Sequence, residues 1–100
     1  MRKVPKDWRG MGLIFVTLCR FRKKPTKAML AQGDELMEKL PGMGCEVKSF
    51  YWTLGRYDAV CIHEAPDEKA AMKASILFGD IQSSETLVAV PAEEASKLVD

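Results

Sequence analysis

The sequence predicts an α+β sandwich with elements in the order β-α-β-β-α-β. Three observations carry this reading: four apolar runs rich in β-branched and aromatic residues, two stretches of helical period between them, and proline or glycine at the junctions. This order is the split βαβ, or ferredoxin-like, arrangement, in which a four-stranded antiparallel sheet buries one face under its two helices.

Each element has its own signal. Leu13 to Phe21 is apolar on both faces, as a strand covered on both sides requires. After Pro25 the period changes: Met29, Gly33, Leu36, Met37 and Leu40 fall on one face of a helix, which Pro41-Gly42 ends. Residues 45–54 and 57–64 return to strand character around Gly55-Arg56. Pro66-Asp67 opens a second helix, with Asp67 as its cap and Ala70, Ala71, Ala74, Leu77, Phe78 and Ile81 on its buried face. "ETLVAV" is the fourth strand, and "PAEEASKLV" a short C-terminal helix whose proline and acidic residues suit a helix start.

One hundred residues fit one domain, and we divide the chain into a basic N-terminal extension, 1–11, and the folded unit, 12–100. A body this small hides less than about 70% of its unfolded surface. The 47% apolar composition is therefore more than one copy comfortably buries. Every strand is apolar on both faces, so something must cover the face the helices leave open; the simplest cover is a second copy, closing two sheets into a barrel.

The net charge of +1 conceals an asymmetry: residues 1–50 carry 11 Lys/Arg against 5 Asp/Glu, and residues 51–100 carry 4 against 9. The acidic second half argues against a nucleic-acid partner. Arg20, Lys23, Lys24 and Lys27 form either a solvated loop or an anion site at the first helix N-terminus. Cys19, Cys45 and Cys61 are odd in number and lack CxxC spacing, so we expect reduced thiols in a cytoplasmic protein. The apolar run Met11–Cys19 lacks a small-residue cleavage pattern and is too short for a membrane helix; neither a signal peptide nor a membrane partner is expected.

The stretch "FYWTLGRYD", residues 50–58, is the densest in chemistry. A two-residue turn at Gly55-Arg56 sets Thr53 opposite Asp58, Trp52 opposite Ala59, Phe50 opposite Cys61 and Lys48 opposite His63. Phe50, Trp52, Leu54, Tyr57, Cys61 and His63 then share one face; Ser49, Tyr51, Thr53, Asp58, Val60 and Ile62 share the other. A three-residue loop with a bulge would instead set Asp58 beside Trp52 and Phe50. Asp58 either accepts hydrogen bonds from Thr53 or the turn amides, fixing the hairpin, or serves as a general base if burial raises its pKa.

"SFYWTLGRYD", followed by "EAPDEKAA" and "SSETLVAV", resembles the GYD domain family, and the pair Arg20-Phe21 at the end of the first strand fits it. The resemblance spans roughly residues 12–90. It implies a dimeric α/β barrel of the ferredoxin-like class and no settled activity. "RKKPTK" stands where relatives tend to have a shorter, less basic turn, and Arg56 where an acidic residue is common. More distantly, Gly55-x-Tyr57-Asp58 is similar to the glycine-x-x-aspartate hairpin of the effector-binding domain in Lrp/AsnC-type regulators, although no helix-turn-helix precedes it here.

The candidate ligand or interface residues are Thr17, Phe50, Trp52, Tyr57, Asp58 and His63. A single histidine excludes multi-histidine metal sites within one chain, and no phosphate loop, nucleophile elbow or dinucleotide fingerprint appears, so no metal or cofactor is expected. The favoured function is a non-catalytic dimeric module that binds a small ligand or docks on a larger enzyme complex. The alternative is a small cofactor-independent enzyme, monooxygenase- or isomerase-like, with its cavity between sheet and helices. It needs a polar cluster in that cavity, for which Tyr57, Asp58, His63 and Thr17 are the candidates.

Overall fold

A computed structural model describes residues 12–99, so the basic extension expected at 1–11 lies outside the described residues. The elements are β1 (Leu13–Phe21), α1 (Lys27–Lys39), a 3₁₀ turn (Pro41–Met43), β2 (Glu46–Trp52), β3 (Ala59–Ala65), α2 (Glu68–Leu77), β4 (Gln82–Ala89) and α3 (Ala92–Ser96). They form the expected α+β, ferredoxin-like arrangement. One four-stranded antiparallel sheet has the order β2-β3-β1-β4.

Local chemistry sets the boundaries. Asp67 caps α2, accepting a hydrogen bond from the Ala70 amide at 2.9 Å, and Thr26 does the same for α1 through the Met29 amide at 3.1 Å. The fourth strand begins at Gln82, three residues before the expected "ETLVAV". Ser83 and Ser84 have little strand preference of their own, but pairing with Arg20 and Cys19 draws them into the ladder.

The helix-covered face carries Leu13, Phe15, Thr17 and Cys19 of β1 and Ala59, Cys61, His63 and Ala65 of β3. The tight core occupies one end of this face. There Phe15, Leu40, Cys45, Ala65, Ala71 and Ala74 are buried together, the two alanines letting α2 lie close to the sheet. Helix α1 buries no residue fully, so it stands off the sheet at the other end.

The opposite face is apolar along its middle. Ile14, Val16 and Leu18 of β1 alternate with the core residues, and Val60 and Ile62 lie beside them on β3. Tyr51 and Leu87 flank them, 61% and 49% exposed in the single chain. The expectation that every strand is apolar on both faces holds for the two central strands only. Edge strands β2 and β4 present Glu46, Ser49, Ser83 and Glu85 on this side, because an edge borders water even when the middle is covered. No helix among the described residues is long and apolar enough to cross a membrane.

Candidate functional site

Between the loosely seated α1 and the far half of the sheet lies a cavity of about 160 Å³. The sheet supplies its floor with Thr17, Cys19, Cys61, His63 and Val47. The roof comes from Met29, Leu30, Gly33 and Met37 of α1 and from Phe78 and Ile81 beyond α2. Gly33 faces Ile81 across this roof, where a Cβ would stand 3.7 Å from the Ile81 side chain, an ordinary van der Waals contact. Phe50 and Trp52, both about half exposed, sit at the mouth. Trp52 packs edge-on against Phe21, ring centres 5.2 Å apart.

A bulge brings these residues together. Trp52 pairs with Ala59 and Phe50 with Cys61, as a two-residue turn requires, but between Val47 and Ser49 the register shifts by one. Lys48 is the extra residue, so Val47, and not Lys48, lies opposite His63. The expected Lys48–His63 pairing is therefore corrected. Physically the slip is sensible: it turns Val47 inward beside Phe50 and Trp52, while the Lys48 ammonium reaches Glu46 at 3.0 Å and Glu64 at 3.9 Å.

From the cavity floor a polar chain runs out to the exposed Thr86 of β4 and on to Ser75 of α2. His63 Nε2 lies 2.9 Å from Thr17 Oγ1, which lies 3.1 Å from Thr86 Oγ1, which lies 3.3 Å from Ser75 Oγ. The His63 ring stacks on Phe15 with centres 5.6 Å apart and planes inclined by 22°. Burial pushes the imidazole pKa below its usual value, so the ring is neutral near pH 7. Burial, reinforced by Cys19, pushes the Cys61 thiol up to about 11, and burial also raises Cys19 and Cys45. All three thiols are unpaired and protonated near neutrality, which makes them poor nucleophiles.

The six candidate residues divide into three places. Thr17, Phe50, Trp52 and His63 line the cavity. Asp58 does not: its Oδ2 accepts from the Phe21 amide at 2.8 Å while its own amide donates to the Cys19 carbonyl at 2.8 Å. The carboxylate thus completes the β1 ladder where β3 has ended, and the partner is a strand amide in place of Thr53 or the turn. Thr53 bonds instead to backbone, its amide to the Asp58 carbonyl at 2.8 Å and its hydroxyl to the Tyr57 carbonyl at 2.7 Å. Tyr57 leaves the face assigned to it, because the loop at Gly55, φ +100°, swings its hydroxyl to Glu85 on the open side of β4.

Among the basic residues, Arg20 belongs to the open face by register, whereas Lys23, Lys24 and Lys27 are exposed along the loop into α1. Arg22, which the sequence reading passed over, donates from Nε to the Gly79 carbonyl at 2.6 Å and ties this loop to the end of α2. Thr86, Ser75 and Gln82 were also missed. Each is an isolated polar residue in its own segment, and only the strand register assembles them. Among the described residues, no group of three or more His, Cys, Asp or Glu side chains is placed to hold a metal ion.

Comparison with known families settles the kinship. The GYD domain model matches residues 15–99. The chain belongs to the GYD domain family. No match was found among curated proteins. Among solved structures, this GYD domain is similar to LrpC of B. subtilis, with a TM-score of 0.65 at 11% sequence identity. The likeness covers 89% of this chain and 58% of LrpC, so the GYD domain spans less than two thirds of that protein. At this identity the shared feature is the fold, which agrees with the distant similarity to the Lrp/AsnC effector-binding domain read from the hairpin.

Proposed function

We propose that this GYD domain is a non-catalytic module that works as a homodimer and holds a small ligand in the cavity between its sheet and helices. The observation that carries the reading is the cavity itself: about 160 Å³, lined mainly by methionine, aromatic and aliphatic side chains, with the hydrogen-bonded pair Thr17 and His63 on its floor. Thr17, His63, Phe50 and Trp52 are its binding residues. The dimer rests on the open sheet face, where Val16, Leu18, Ile62 and Leu87 form an apolar band that a second sheet would cover.

Catalysis is poorly supported by the same geometry. The enzyme alternative asks for Tyr57, Asp58, His63 and Thr17 in one cluster, and Tyr57 and Asp58 are engaged elsewhere. His63 and Thr17 together lack a second titratable partner for general acid–base work near pH 7. The test is equilibrium dialysis of a small-molecule extract of the source cells against the full chain. Retention of a compound in saturable, stoichiometric amount and its recovery unchanged support the module. Consumption of a compound in excess of the protein overturns it in favour of an enzyme.

A further inference from the structure

The His63 ring on the cavity floor has one unused position. His63 is 7% exposed, its Nε2 is taken by Thr17, and its Nδ1 bonds to no described residue. Among the described residues no sealed side-chain nitrogen or oxygen lacks a partner, so Nδ1 is not a sealed atom among them. His63 lines the cavity, which is the open space that an unsealed Nδ1 can meet.

What such an atom can bind follows from the hydroxyl chain behind it. If Thr17 donates to Nε2, the proton sits on Nδ1 and the ring offers a donor to the cavity. If the chain runs the other way, from Nε2 through Thr17 and Thr86 to Ser75, Nδ1 offers a lone pair. Rotation of the three hydroxyls, together with transfer of the ring proton between Nδ1 and Nε2 through solvent water, exchanges the two states, so the site accepts a hydroxyl or a carbonyl. Charge is disfavoured on both signs. Among the described residues the one charged residue lining the cavity is Asp34, which is solvent-exposed, and none of the others would compensate a buried carboxylate or ammonium. The inner volume of about 160 Å³ matches one ring, since an apolar cavity of about 150 Å³ holds a single benzene.

We propose that the cavity takes a neutral ligand of about one aromatic ring, carrying a single hydroxyl or carbonyl that bonds to His63 Nδ1: a simple phenol or ring alcohol. This rests on the ligand-binding reading above and narrows it. Met29 and Met37 on the roof suit such a ring, because thioether sulfur packs well at ring edges.

The experiment is an NMR titration of the full chain with phenol, toluene, benzoate and benzylammonium, following the His63 ring nitrogens. Phenol is expected to bind and shift the Nδ1 resonance, whereas toluene binds without that shift. In His63→Leu the phenol-to-toluene affinity ratio should fall about tenfold or more, as expected when a hydroxyl is buried without a partner. Should that variant fail to fold, the wild-type Nδ1 shift decides alone. Tighter binding of either charged probe, or phenol binding with Nδ1 unmoved, overturns the ligand class while leaving the cavity as a binding site. Binding of none of the four probes overturns both.

Discussion

Thr17→Val replaces a hydroxyl by a methyl of similar volume at the centre of the polar chain, and so tests what the chain contributes. The wild-type hydroxyl is 2.9 Å from His63 Nε2 and 3.1 Å from Thr86 Oγ1, in a residue only 8% exposed. Valine breaks both bonds. Thr86 keeps Ser75 as a partner, but Nε2 is left unpaired in a buried position, which costs about 1–3 kcal/mol. The added methyl returns part of this, about 0.8 kcal/mol for one buried carbon. A net loss between about 0.2 and 2.2 kcal/mol follows, with a midpoint of about 1 kcal/mol, or roughly a 1 M fall in the urea midpoint at the slope of a 100-residue domain, on the order of 1–2 kcal/mol per molar. Urea unfolding followed by tryptophan fluorescence, at one fixed protein concentration, gives the number. Thr17→Ser, which keeps the hydroxyl, should recover most of the hydrogen-bond part. A Thr17→Val protein as stable as wild type would show that the chain is not a satisfied buried network, and the reasoning built on it would fail.

Three further outcomes are expected. His63 has its pKa lowered by burial, so between the folded value and the unfolded value of about 6.5 the unfolded chain binds more protons. Stability is therefore full above about pH 6.5 and falls as pH drops through that value, by up to about 1.4 kcal/mol per pH unit; an unchanged slope in His63→Gln would refute the assignment. Asp58→Ala removes the acceptor for the Phe21 amide and should cost about 1–2 kcal/mol, with Asp58→Asn between it and wild type, read by the same urea assay. Leu18→Glu places a charge in the middle of the open face without touching the cavity, and should convert dimer to folded monomer in sedimentation velocity runs. A dimer surviving that charge would move the interface elsewhere.

Much of the fold is legible in the residues because each element carries its own local chemistry. Asp67 caps α2 where the Pro66-Asp67 pair announces it, and the Met29–Leu40 face of α1 is the face turned to the cavity. The hairpin register between Phe50 and Cys61 follows from a period of two counted from Gly55. Counting fails beyond Lys48 because a bulge is decided by tertiary packing: Val47 gains burial by turning inward, and no residue type marks the slip in advance. Tyr57 fails for a related reason. Its side is set by loop twist and by Glu85, 28 positions away. The floor of the cavity was half visible, since Thr17 and His63 stand out as polar residues in apolar strands, whereas Thr86 and Ser75 look like ordinary surface residues until β4 and α2 are in place.

The most direct test of the account is native mass spectrometry of the protein taken straight from its source cells, which weighs the assembly and whatever it carries at once. The account predicts twice the chain mass of 11.2 kDa plus up to two copies of a small molecule, released unchanged when the protein is denatured. A species at the single-chain mass under micromolar conditions, with nothing bound, would contradict it.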